Sequence, residues 1–135
     1  MPDVLKVGRN LTTEHTVSDD LTADRFGNPG VQVLATPALV ALIEACAIRC
    51  AAPTLAEGQG TVGTRVNMQH LAPTPVGMKV TIRVELVELE GKRLGFQFQA
   101  HDEKDLIARG THERFILGSM ERFLARAAEK SGAGD

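Results

Sequence analysis

Thr36-Pro37-Ala38-Leu39-Val40-Ala41-Leu42-Ile43-Glu44-Ala45-Cys46-Ala47-Ile48-Arg49-Cys50-Ala51-Ala52-Pro53 is the stretch on which the fold turns. Threonine is a good helix N-cap, and proline fits the first helical position because its missing N–H has no partner there. The pair therefore reads as a helix start with Thr36 as cap, and Pro53 ends the run. Between them the residues are apolar on nearly every side, and such a helix persists in water only when other structure wraps it.

The flanks supply that wrapping. Leu11 to Val17 reads as a first strand, followed by a loop from Asp19 to Gly30 with turn chemistry at Gly27-Asn28-Pro29-Gly30. Beyond the helix, Val62 to Gln69 alternates, with Val62, Thr64, Val66 and Met68 on one face. His70 closes that strand, and the prolines of Leu71 to Gly77 cannot continue a ladder because they lack the donor. Val80, Ile82, Val84 and Leu86 alternate, then the apolar phase moves to Val87 and Leu89, which predicts a bulge near Leu86. Glu90-Gly91-Lys92 is a hairpin turn; Leu94, Phe96, Phe98 and Ala100 form one face of the next strand. Asp102 to Asp105 turns again, Leu106 to Leu117 is the last strand, and Gly118 to Lys130 returns to helix. Ser131 to Asp135 reads as a frayed tail. One enclosed helix with one antiparallel sheet is an α+β layer architecture in a single domain, 1–135. An isolated sheet of this kind exposes an edge and an apolar patch, which a second copy would cover.

Composition removes several classes of function. The chain has 135 residues, 15 basic and 17 acidic, for a net charge of -2, and neither tryptophan nor tyrosine. That is no basic footprint and no stacking platform, so nucleic acid is not an expected partner. A hydrophobic content of 43% supports a packed core. The N-terminus lacks a signal pattern and the charge-free stretch running into Ile43 reads as too short to span a bilayer, so the cytoplasm is the expected address. Cys46 and Cys50 stand four apart in the helix and read as small packed residues; with no further ligands at metal spacing, no metal or cofactor is expected.

Three side chains carry possible chemistry. Glu44 is the only charge between Arg25 and Arg49, set among apolar neighbours. A buried carboxylate needs a polar cavity, a partner or a raised pKa, and Arg49 or Arg65 could supply a structural pair. Thr36, besides capping, would present a hydroxyl at a helix N-terminus, where partial positive charge suits an oxyanion or a carbonyl. His70 stands where a strand meets a proline-rich loop and titrates near neutrality. His15, His101 and His112 read as structural. Gly63, in a β-branched strand, marks a bulge or a close backbone approach, and Arg114 reads as a local ion pair.

Several stretches resemble the fluoroacetyl-CoA thioesterase family of hotdog-fold enzymes: Ala35-Thr36-Pro37 leading into Leu42-Ile43-Glu44-Ala45-Cys46, Val62-Gly63-Thr64, His70 to Gly77, Leu89 to Leu94, and Gly110-Thr111-His112-Glu113-Arg114. The resemblance implies a hotdog fold, a five-stranded antiparallel sheet wrapped around a central helix, in a homodimer with its sites at the subunit interface. It implies hydrolysis of a short acyl-CoA, with Thr36, Glu44 and His70 as the catalytic set. Gly63 would lie against the substrate and Arg114 near the CoA side. His70 would act as base or acid. Glu44 would activate water, attack as nucleophile or orient His70. Thr36 would hold the carbonyl or attack. The chain departs from the family where a phenylalanine-rich cover precedes the threonine: residues 27–34 hold no aromatic, which argues against selectivity for a fluorinated acyl group. The competing expectation is a non-catalytic hotdog protein that binds an acyl or aromatic ligand, although a pure binder has no need of a charge within an apolar helix.

Overall fold

The structure, a computed structural model, describes residues 3–132. Its elements in chain order are β1 (Asn10–Thr16), α1 (Thr36–Ala51), β2 (Gly60–His70), β3 (Lys79–Glu90), β4 (Arg93–His101), β5 (Leu106–Leu117) and α2 (Met120–Glu129), with short 3-10 turns before and after α1. The strands form one five-stranded sheet in the order β1-β3-β4-β5-β2, each neighbouring pair antiparallel. Of the expected tail, Ser131 and Gly132 continue as a turn held by bonds to Ala128 and Glu129; its last three residues, like Met1 and Pro2, lie outside the described residues.

The period-two alternation does what it predicts in the middle of the sheet. Val80, Ile82, Val84 and Leu86 on β3 are all fully buried, as are Leu94 and Ala100 on β4, with Phe96 and Phe98 within 2% of it. They meet Leu39, Ile43, Cys46, Ala47 and Cys50 of α1 in one core. The expected bulge is present: the β3–β4 register shifts between Leu86 and Glu88. β2 carries one that alternation did not show, between Gly63 and Arg65. Gly63 therefore stands opposite Arg114 and Val66 opposite His112; Thr64 is the inserted residue, and the bulge puts Val62, opposite Phe115, on the other face from Val66 and Met68.

α1 is the expected central helix packed on the five-stranded sheet, but it is not enclosed on every side. The sheet covers only one side, where Ala38, Leu39, Ile43, Cys46, Ala47, Cys50 and Ala51 are buried; Ala41, Ala45 and Ile48 stay exposed on the other. Thr36–Thr54 also has the length and, at a mean hydropathy of 1.4, the composition to cross a membrane, contrary to the expectation from charge spacing. Here it lies against the sheet, and Arg9 Nε donates to the Cys50 carbonyl (2.6 Å), satisfying an end that has lost its intrahelical donors. α2 is capped by Ser119, whose side chain accepts from the Arg122 N–H (3.1 Å), but its apolar stripe, Phe123 and Leu124, is exposed rather than packed.

Candidate active site

Thr36 is not the cap of α1. Ala35 has the extended backbone of an N-cap (φ −72°, ψ 143°) and its carbonyl accepts the first helical bond, from the Leu39 N–H (2.9 Å). Thr36 is the first helical residue, so its hydroxyl is not spent on the helix end. It reaches the imidazole of His70 in the same chain, Oγ1 to Nδ1, at 2.7 Å. Two separate segments are held together to make this contact. The Leu34 N–H donates to the Thr74 carbonyl (2.8 Å), and Val33 bridges to Pro75, tying the entrance of α1 to the loop that follows His70. The loop is anchored in turn by the buried Thr74 hydroxyl, which donates to Asp102 Oδ2 (2.9 Å). Burial opposes the charge on Asp102, but the N–H groups of Lys104 and Asp105 and the Thr74 hydroxyl outweigh it and hold the carboxyl below its ordinary value.

His70 is half-buried, and its Nε2 is enclosed without a hydrogen-bond partner among the described residues. Burial lowers its pKa, with the Ala72 backbone partly offsetting the effect. The ring is therefore neutral at pH 7, the form that can accept a proton. Thr36 and His70 stand at the wall of a groove of about 320 Å³ whose other lining includes Ala23, Asn28, Val31, Val33 and Leu34. The stretch without aromatics thus forms the wall of this groove.

Glu44 belongs to a second cluster. Its Oε2 accepts from Arg114 Nη1 at 3.1 Å and lies 3.8 Å from His112 Nε2. The expected pairing with Arg49 or Arg65 does not form, and the carboxylate is not enclosed: its side chain is 36% exposed, while that of Arg114 is 4% exposed. Arg114 is fixed further by Nε donating to Thr61 Oγ1 (2.8 Å) and Nη2 to the Thr61 carbonyl (3.0 Å). It is no local ion pair, since its partner carboxylate is 70 residues away in the chain. Burial lowers its pKa and Glu44 works in the opposite direction. Gly63 leaves the room for all this: a Cβ there would collide with Glu44 Oε2 and stand 3.0 Å from Arg114 Nη1.

The five residues named from sequence thus fall into two groups, Thr36 with His70 and Glu44 with Gly63 and Arg114. Eight residues of α1 separate Thr36 from Glu44, about 12 Å along the axis. Seven residues of β2 separate Gly63 from His70, about 20 Å. A direct Glu44–His70 contact inside one chain is ruled out by these lengths.

His112 and Thr61 were missed. His112 is 1% exposed, and its Nδ1 donates to the Arg65 carbonyl (2.8 Å). The signal lay in strand parity: Ala108, Gly110, His112 and Arg114 share the face toward α1, so two polar side chains follow two small ones on a face that should be apolar.

Three histidines are held below the ordinary value of 6.5: His15 by burial and Arg49, His70 by burial, and His112 by burial and Arg114. Between the lowered folded values and 6.5 the unfolded chain binds more protons, so stability rises with pH there. The contribution is complete above 6.5 and is lost as pH falls below it. Thermal melts should therefore shift to lower temperature between pH 7.5 and pH 5. An unchanged midpoint over that window would contradict it.

The model of the family of fluoroacetyl-CoA-specific thioesterases matches residues 17–120. A fluoroacetyl-CoA thioesterase of Streptantibioticus cattleyicolor is 36% identical over 140 residues, which cover 99% of this chain and all of the other. A solved structure of the fluoroacetyl-CoA thioesterase FlK superposes with a TM-score of 0.88 at 36% identity, covering 95% of this chain and 98% of that one. A thioesterase superfamily member from Thermus thermophilus superposes with a TM-score of 0.86 at 29% identity, covering 98% and 99%.

Proposed function

This chain belongs to the fluoroacetyl-CoA-specific thioesterase family, and on that footing we propose that it hydrolyses a short acyl-CoA to the free acid and CoA, as a cytoplasmic homodimer without a cofactor. The observation that carries the reading is the 2.7 Å contact between Thr36 and His70 at the wall of a groove. When the neutral ring accepts the hydroxyl proton at Nδ1, the Thr36 oxygen gains nucleophilic character toward a thioester carbonyl. The same ring can return a proton to the CoA sulfur as the C–S bond breaks. Glu44 supplies a carboxylate with one oxygen tied to Arg114 and the other without a hydrogen-bond partner among the described residues. That free oxygen suits activation of the water that releases the acid.

Two features support the dimer. β2 lies at the sheet edge and, among the described residues, pairs only with β5, and the outer stripe of α1 beside it is apolar and exposed. An unpaired edge of 11 residues is a template for a second strand. A two-fold axis at Asn67 would lay β2 antiparallel on its copy and, with Thr64 looped out, would bring His70 of the second copy beside Gly63, joining the two half-sites. The buried thiols of Cys46 and Cys50, free of any disulfide, fit a reducing compartment.

The groove wall supports a reading of ordinary short acyl groups as substrates. Asn28, Val31, Val33 and Leu34 replace an aromatic cover, and Phe26 is 51% exposed and outside the lining. Acetyl-CoA and fluoroacetyl-CoA should then be hydrolysed with kcat/KM values within about tenfold of each other, because a single atom exchanged in a hydrophobic pocket discriminates weakly. A thiol-release assay over a series of acyl lengths tests both points. Activity on none of them, or strong preference for the fluorinated substrate, would overturn the reading.

Thr36→Ser keeps a hydroxyl within reach of His70 and should retain more turnover than Thr36→Ala. Because Ala35 is the cap, neither change removes a capping side chain, and both variants should melt close to the parent. An alanine variant that turns over as fast as the serine one would remove the hydroxyl from the chemistry.

A further inference from the structure

We propose that His112 is a positioning residue: by accepting a hydrogen bond from Arg114 it restricts the guanidinium to one oxygen of Glu44 and keeps the other oxygen available for water or thioester. This rests on the reading of Glu44 as the carboxylate of the thioesterase site.

The hydrogen inventory carries the argument. A guanidinium has five N–H donors and no acceptor. In Arg114, Nε and Nη2 are engaged by the Thr61 hydroxyl and carbonyl at 2.8 and 3.0 Å. Nη1 divides its two hydrogens between Glu44 Oε2 (3.1 Å) and His112 Nε2 (3.2 Å). The second of these bonds requires a lone pair on Nε2. His112 has one there because its Nδ1 proton is committed to the Arg65 carbonyl at 2.8 Å. The ring is locked from a third side by Phe96, stacked at 6.4 Å between centroids. Without that acceptor the second Nη1 hydrogen is free, and the partly exposed Glu44 carboxylate can turn to place its other oxygen on the guanidinium in a two-bond arrangement. Both oxygens of Glu44 would then be occupied, and a carboxylate so held is a poorer base.

The arrangement also depends on His112 being neutral. The charged groups facing it are Arg114 on its own strand and Glu44 from α1; Arg65 and Glu113, whose positions pair across β2 and β5, belong to the opposite sheet face. A protonated ring would lose its acceptor, repel Arg114 and compete for Glu44 Oε2. Burial and Arg114 both oppose that protonation, which keeps the acceptor in place at neutral pH.

The test is steady-state hydrolysis of acetyl-CoA by the full-length protein from pH 5 to 9, with circular dichroism and light scattering to confirm fold and assembly. His112→Leu should lower kcat about 10- to 100-fold, the loss matching one hydrogen bond to a charged group, with KM changed less than about threefold. His112→Gln offers an acceptor and a donor but does not titrate. It should keep most of kcat and show a shallower fall on the acid side. Wild-type kcat in folded His112→Leu, or a His112→Gln variant as impaired as the leucine one, would overturn the proposal. Should His112→Leu not fold, His112→Gln decides alone: an acid limb identical to wild type overturns it. Full turnover in Glu44→Ala would instead overturn the site reading and this inference with it. Loss there with none in His112→Leu sinks the inference alone.

Discussion

His70→Ala and Glu44→Ala are each expected to lower turnover by ~10²–10⁴-fold, the contribution of a positioned acid or base, while the protein stays folded. His70 is half-buried at a strand end and Glu44 is partly solvated on a helix face, so neither truncation opens a core cavity. The two variants carry a sharper expectation when combined. A site built from Glu44 of one chain and His70 of the other leaves a mixed dimer of the two variants with one intact site and one doubly damaged site. With random assortment into two-fold dimers, mixing after unfolding and refolding should restore about a quarter of wild-type activity. If both groups serve one site within a chain, mixing restores nothing. The within-chain separations of about 12 Å along α1 and about 20 Å along β2 favour restoration.

Gly63→Ala should be nearly as damaging, for a different reason. The added methyl would meet Glu44 Oε2 at once and then Arg114 Nη1 and the His112 ring edge, at 3.0 and 3.2 Å. The Glu44 terminus is flexible and partly exposed, so it can swing away, whereas Arg114 is pinned by Thr61 and cannot follow. The expected outcome is a folded protein with kcat reduced by roughly 10²-fold, because displacement of a catalytic group by about 1 Å carries a loss of that order. The midpoint of thermal unfolding should move far less than the activity. Wild-type turnover in Gly63→Ala would mean that the Glu44–Arg114 contact is not part of the chemistry. A folding defect as large as the activity loss would make the glycine structural.

Strand and helix assignments were legible from residues alone because they depend on local periodicity. Val80 to Leu86 and Leu94 to Ala100 alternate strictly, and every one of those inward residues is buried. The shift at Leu86 was visible as a change of phase, and the register shift lies there. The bulge beside Gly63 made no change of phase, because Val62, Thr64, Val66 and Met68 keep an apparent alternation through it; the glycine alone marked the place, as a bulge or a close backbone approach. Only pairing with β5 reveals which residue is inserted, since register is a relation between two strands.

Candidate chemistry divides along the same line. That Glu44 is an anomalous charge in an apolar run and that His70 ends a strand at a proline-rich loop follow from the residues alone, because composition and spacing carry those facts. Partnership depends on the folded chain. The fold moved the cap from Thr36 to Ala35 and so released the hydroxyl to His70, 34 residues away. It also paired Glu44 with Arg114 across 70 residues and brought His112 beside both. Hydrogen bonds between distant segments are set by sheet register and by how α1 lies across it, and no property of either residue taken alone specifies them.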